Sequence, residues 1–189
     1  MIQDLIMKNR SYRRFYQDRP IHEKQLESLV ELARLSPSAA NLQPLKFIIS
    51  HKPSKNEKIF SCLAWAGYLK DWPGPEEGER PTGYIIILGD TEITKEFGCN
   101  HGIAAQSILL GATEMGFGGC MIASIQRDKL KQLLNIPAFY EILLVIALGE
   151  PKERVVIVEA RNGDIKYWRD ANKTHHVPKR PLSEIILDL

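Results

Sequence analysis

Three arginines and a serine hydroxyl fall within five residues at Arg10-Ser11-Tyr12-Arg13-Arg14. A guanidinium offers parallel N–H donors that meet two phosphate oxygens together, and its charge strengthens each bond. The spacing therefore suits a phosphate ester, with a solvated basic face as the alternative. A second segment runs Ser36-Pro37-Ser38-Ala39-Ala40-Asn41-Leu42-Gln43-Pro44. Two prolines stiffen it, small side chains leave its backbone amides open, and Asn41 and Gln43 each bring a donor and an acceptor. A flat heterocycle whose edge alternates donors and acceptors, as the pyrimidine edge of a flavin does, needs amide partners on such a thin, rigid loop. A simple capping turn requires fewer of these features. The third segment, residues 116–124, reads Gly-Phe-Gly-Gly-Cys-Met-Ile-Ala-Ser. Its glycines let another backbone or a planar ligand come close, and by themselves they also read as a turn into a strand.

Other chemistry is missing from the chain. Gly116-Phe117-Gly118-Gly119 does not fit G-x-G-x-x-G, and no G-x-x-x-x-G-K-[ST], H-E-x-x-H or C-x-x-C occurs. Cys99 and His101 are two potential metal ligands without two more. Cys120 reads as a core thiol, Arg14 as a surface charge without a role, and His175-His176 as a solvated pair in a polar tail. No nucleophile–base constellation stands out, so a bound cofactor is expected to supply the reactivity.

The elements that position these segments follow from periodicity. Residues 2–9 form a short helix, and Leu26, Leu29, Val30 and Ala33 make 22–35 an amphipathic one. Residues 46–50 read as a strand, 54–69 as a helix and 127–134 as an amphipathic helix. The 71–83 stretch holds three prolines, three glycines and three glutamates and reads as a solvated loop or flap. The apolar, β-branched runs 84–88 and 142–148 are central strands buried on both faces. Residues 102–115 form a helix that is apolar nearly all round, so it must be covered on every side, by a sheet on one flank and a second subunit on the other. Strands and helices are interspersed, which predicts a layered α/β or α+β domain.

With 189 residues, 44% hydrophobic and 25% charged, the chain suits a single domain over 1–189 with a real core. A net charge of +2 does not call for nucleic acid or a membrane as partner. Three cysteines without paired spacing predict a reducing, cytoplasmic setting. No apolar run is long enough to span a bilayer, and the amino terminus lacks the apolar stretch of a signal peptide.

Taken together, these motifs resemble the nitroreductase family of FMN-dependent oxidoreductases. The likeness covers essentially the whole chain: R-S-x-R-x-F at 10–15, S-P-S-x-x-N-x-Q-P at 36–44, Gly102-Ile103-Ala104-Ala105-Gln106, Gly149-Glu150-Pro151 and Pro178-Lys179-Arg180-Pro181-Leu182. The resemblance implies an α+β fold of three α/β/α layers, with a mostly antiparallel sheet flanked by helices in an intertwined homodimer. It implies that Arg10 and Ser11 hold the FMN phosphate and that Arg13 approaches the N1–O2 side of the ring. Lys179 or Arg180 would reach the phosphate from a carboxyl-terminal arm over 160–189. Pro37, Ser38, Ala39 and Asn41 would contact the flavin from the other subunit, and backbone amides near Ala123 and Ser124 would face N5 and O4. Asn9 and Ala123 stand where relatives often carry an arginine and a glutamate. The implied reaction is a ping-pong cycle in which NADH or NADPH reduces the flavin and a small acceptor, such as a nitroaromatic or quinone, reoxidises it. No side chain is needed as general acid or base. Trp65, Tyr68 and Trp72 are candidates for shaping the acceptor pocket. A specialised flavin reductase or dehalogenase of the same fold, a non-catalytic flavin-binding sensor, and a nucleic-acid binder using the basic segments are the competing readings.

Overall fold

The computed structural model describes residues 1–188. Strands β1 (Leu45–Ser50), β2 (Gly83–Asp90), β3 (Gly118–Ile122) and β4 (Tyr140–Gly149) form one antiparallel sheet in the order β1-β2-β4-β3. The two apolar runs are the central pair, and every residue of β2 is buried. Strand alternation sends Ile85 and Ile87 to one face and Tyr84, Ile86 and Leu88 to the other. On β4, Leu144, Ile146 and Leu148 join the first set, while Ile142, Val145 and Ala147 join the second. The register jumps between Ile87 and Leu88, whose partners are Leu144 and Ile142, so Leu143 is an extra residue in the ladder.

Helices α2 (Glu23–Arg34) and α4 (Asn100–Glu114) cover the first face through Leu26, Leu29, Ala105 and Ile108. Helices α3 (Pro53–Phe60) and α5 (Arg127–Leu134) cover the second through Ile59 and Leu130. This is the expected three-layer α+β arrangement. Gly111 sets the crossing of α2 on α4, because a Cβ there would lie 2.1 Å from Leu32 Cδ1.

The helix expected over 54–69 stops at Phe60. The chain then runs against the segment after β3: Gln126 N donates to Cys62 O at 2.8 Å, Ala64 N donates to Ser124 O at 3.0 Å, and Leu63 bridges Ile125. These bonds replace helical ones with tertiary ones, which local propensity does not record. Helix α4 is covered on one flank only: Ala104, Ala105, Leu109 and Ala112 are buried, whereas Gly102 and Gln106 face outward. The first helix, α1 (Ile2–Lys8), leaves Ile2, Ile6 and Met7 exposed as well. In the 71–83 stretch, Asp71, Glu76 and Glu77 face solvent, but Gly74, Pro75, Glu79, Pro81 and Thr82 are buried. Its second half is packed rather than solvated.

Beyond the main sheet, β5 (Val155–Glu159), β6 (Trp168–Arg169) and β7 (His175–Lys179) make a small sheet in the order β5-β7-β6, with β5 and β7 parallel. Residues from this sheet pack against the amino-terminal arginine segment.

Candidate functional site

The arginine segment begins where α1 ends. Arg10 Nη2 donates to Ile6 O at 2.7 Å and Tyr12 Oη donates to Lys8 O at 3.0 Å, so both side chains close carbonyls that the helix leaves unpaired. The segment then lies along the edge of the main sheet: Ser11 bridges Gly119, and Tyr12 N donates to Gly119 O at 3.0 Å. The glycines opposite make this approach possible. A Cβ on Gly118 would come within 2.4 Å of Tyr12 Cδ2, and one on Gly119 within 2.7 Å of the Ala147 carbonyl oxygen. Within this chain, the glycine-rich passage serves close backbone approach.

Arg13 is fixed from several directions. Its backbone N donates to Glu153 Oε1 at 2.5 Å, its Nη1 donates to Ser11 O and to His175 Nε2, both at 3.3 Å, and its guanidinium lies 5.0 Å from the Tyr167 ring centroid. The other oxygen of Glu153 accepts from Arg169 Nη2 at 2.9 Å, and Arg169 stacks over Trp72 at 4.3 Å. Tyr68 meets Tyr167 with ring centroids 4.9 Å apart. Tyr68 and Trp72 thus tie the loop before β2 to the small sheet, while Trp65 is buried against Phe60.

Strand alternation places His175, Val177 and Lys179 on one side of β7, facing Asn9, Arg10, Ser11 and Arg13 across a cavity of about 280 Å³. Gln106 and Met121 complete its polar and apolar walls. Among the described residues no carboxylate lines it. Besides the His175 ring, the donors are three cations, two hydroxyls and two amides, and Arg10 Nε is buried with no partner. Such a set is incomplete without an anion, because desolvated donors want an acceptor. A phosphate ester, and hence the phosphate end of FMN, fits these residues.

Two sequence expectations are corrected here. His175 is fully buried, not solvated. Burial, with Arg13 and Arg169 nearby, pulls its imidazole down to about 4, so the ring is neutral at physiological pH. Arg14 is not a surface charge: it is buried and forms a two-pronged ion pair with Glu79, whose Oε1 also meets Lys152 Nζ at 3.1 Å. The Arg14 guanidinium, with Lys152 behind it, holds the Glu79 carboxyl at about 2 against the opposing effect of burial. The two basic candidates of the carboxyl-terminal arm, Lys179 and Arg180, stand in different places. Lys179 lines the cavity, whereas Arg180 pairs with Glu184 at 2.9 Å on the surface. Cys120 is buried in the core as expected, and burial pushes its thiol up.

The proline loop stands apart from this cavity in the single chain. It forms a 3₁₀ turn over Ala39–Asn41, with Ala40, Asn41 and Gln43 at φ of 48°, 54° and 51°, a run of left-handed residues that needs external support. Helix α4 supplies that support: Asn100 Oδ1 accepts from Ala39 N at 3.0 Å, and the Ser36 and Ser107 hydroxyls lie 2.7 Å apart. Pro37 and Ser38 line a separate, more apolar cavity of about 550 Å³ between α2, β1 and α4, while Ala39 and Asn41 are exposed. Ala123 and Ser124 are exposed just past β3 and line neither cavity. The structure therefore brings together Arg10, Ser11, Arg13 and Lys179, and keeps the loop and the β3 end separate from them. Sequence reasoning missed Glu153, Tyr167, Arg169 and His175. The only available signal was the two-residue alternation of His175, Val177 and Lys179.

Comparison with known proteins agrees with this architecture. The sequence profile of the nitroreductase family matches residues 6–80 and 82–150. A protein of Archaeoglobus fulgidus assigned as an NADH dehydrogenase/NAD(P)H nitroreductase is 27% identical over 155 residues, covering 78% of this chain and 84% of its own. The crystal structure of a nitroreductase family protein from Streptococcus pneumoniae superposes with a TM-score of 0.72 at 20% identity, over 100% of both chains. An FMN-dependent nitroreductase from Clostridium difficile superposes with a TM-score of 0.65 at 24% identity, over 86% of this chain and 92% of its own.

Proposed function

Since the chain belongs to the nitroreductase family and is an oxidoreductase, we propose that it binds FMN and uses NADH or NADPH to reduce small acceptors such as nitroaromatics or quinones. The observation that carries this reading is the cavity lined by Arg10, Ser11, Arg13 and Lys179 and, among the described residues, by no carboxylate, together with the buried, unpartnered Arg10 Nε. The FMN dependence of a protein with the same fold supports it. When bound, FMN would take a hydride from the reduced nicotinamide and pass it to the acceptor in a separate half-reaction.

The residues divide that task by position. Arg10, Ser11 and Lys179 anchor the phosphate, with charge-assisted bonds that a neutral riboflavin tail would not engage. Arg13 lines the same cavity, where a fixed cation beside the ring would stabilise negative charge on its reduced form. The backbone at Ala123 and Ser124 would read the ring edge. Pro37, Ser38, Ala39 and Asn41 would reach the flavin from a second copy of the chain, because in one chain they open away from the arginine cavity. The outward flank of α4, with Gly102 and Gln106, fits the same homodimer. The first half of 71–83 would serve as a flap over the acceptor, and the protein would work in the cytoplasm without nucleic acid or membrane. Among the described residues no helix is long and apolar enough to cross a membrane.

Anaerobic titration with each nicotinamide tests this function. The FMN-loaded protein should bleach with NADH or NADPH and recover its colour on adding a quinone; loaded protein that neither nicotinamide bleaches would refute the activity. Arg13→Ala should lower the flavin midpoint potential and slow bleaching about tenfold or more. An unchanged potential and rate with FMN still bound would remove the role of Arg13.

A further inference from the structure

Arg13 has four neighbours, and one of them belongs to a residue the reading above leaves unused. His175 is fully buried, and its Nε2 lies 3.3 Å from Arg13 Nη1. A guanidinium carries only donors, so the ring must present the Nε2 lone pair to it and carry its proton on Nδ1. Nδ1 is itself buried without any partner. An imidazolium at this place would direct one N–H at a guanidinium and leave the other without an acceptor, so the pocket admits only the neutral ring. The charged and titratable groups around it are Arg13, Arg169 and His176, with Glu153 bound to Arg13 and with the Tyr167 ring tilted against it at 5.1 Å between centroids. Its backbone N donates to Arg154 O at 2.8 Å, which locks β7 in register.

We propose that His175 is a positioning residue for the flavin site: its neutral imidazole accepts a hydrogen bond from Arg13 and fixes the direction of that guanidinium in the cavity wall. Glu153 complements it by holding the Arg13 backbone, so main chain and side chain are fixed by separate partners. Without the Nε2 acceptor, Arg13 keeps its charge but loses its direction, and the stabilisation of the reduced ring falls with it. The inference rests on the reading that FMN occupies this cavity.

The test uses FMN-loaded protein at neutral pH. His175→Phe removes the acceptor while keeping a flat ring, and His175→Gln returns an acceptor oxygen. His175→Phe should lower the midpoint potential in the same direction as Arg13→Ala and weaken FMN binding about tenfold, the loss of one charge-assisted bond. His175→Gln should recover most of both. The double variant Arg13→Ala, His175→Phe should be no worse than Arg13→Ala alone, because the two residues act through one interaction. Additive losses, a wild-type potential in His175→Phe, or a Gln variant no better than the Phe one would overturn the proposal. In the unaltered protein, a long-range proton–nitrogen correlation spectrum should show His175 neutral and protonated at Nδ1. A ring protonated at Nε2 would overturn the proposal even if the Phe variant does not fold. Failure of the unaltered protein to bind FMN would instead strike the reading on which the inference rests.

Discussion

Glu79→Ala is expected to destabilise the fold by about 3–5 kcal/mol, read as a shift in the denaturant midpoint, because it strands a buried guanidinium. Arg14 and Glu79 are both nearly out of solvent, and Lys152 adds a second cation to the same carboxylate. The pair does more than neutralise charge. Glu79 lies in the loop that leads into β2, and its backbone O accepts from Phe15 N at 3.0 Å, so the ion pair and this bond together tie the loop to the arginine segment. The same carboxylate predicts an acid response. Its folded value of about 2 lies below the usual 4.5, so its stabilisation is complete above about 4.5 and is lost as pH falls toward about 2. His175 acts earlier in the same direction. Its folded value is depressed to about 4 from 6.5, so the unfolded chain takes up the proton first and stability declines as pH drops from 6.5 toward 4. Denaturant midpoints should therefore fall in two stages on acidification. The upper stage should vanish in His175→Gln and the lower one in a folded Glu79→Gln variant. A midpoint independent of pH between 7 and 3 would contradict both assignments.

The second large effect concerns the phosphate. Replacing Arg10 and Lys179 together by alanine should weaken FMN binding about a hundredfold or more, since each charge-assisted contact contributes about 1.5–3 kcal/mol. Riboflavin, which lacks the phosphate, should bind the double variant and the unaltered protein alike. Fluorescence quenching of the two flavins gives this comparison directly. Equal losses for both would mean that the variant had damaged the ring site and that the cavity does not read the phosphate.

The parts of this protein that could be read from sequence are those where one strong local pattern dominates. The runs 84–88 and 142–148 are too apolar for an exposed strand, and they form the central pair. Leu26, Leu29 and Ala33 announce the buried stripe of α2. Arg10, Ser11 and Arg13 are close in sequence, so their meeting in space costs little chain entropy and is visible as a motif. What stayed hidden depends on contacts between distant segments. The helix end at Phe60 is decided by bonds from Cys62 and Ala64 to residues some sixty positions away. Arg14 looks like its neighbours until Glu79 folds onto it. His175 sits among polar residues in a stretch that reads as tail, and only the pairing of β7 with β5 and β6 turns its side chain inward. Conversely, the proline loop is fully legible as a motif, yet within one chain it lines a different cavity from the arginines it was expected to join.

The measurement closest to the heart of this account is the visible spectrum of the protein after incubation with excess FMN and removal of free ligand. The account predicts a yellow protein carrying about one flavin per chain, with a dimer as the coloured species on a sizing column, since a site assembled from two chains cannot form in one. Protein that emerges colourless would show that the Arg10, Ser11, Arg13 and Lys179 cavity does not hold this cofactor. A coloured monomer would show that the proline loop does not need to come from a second copy.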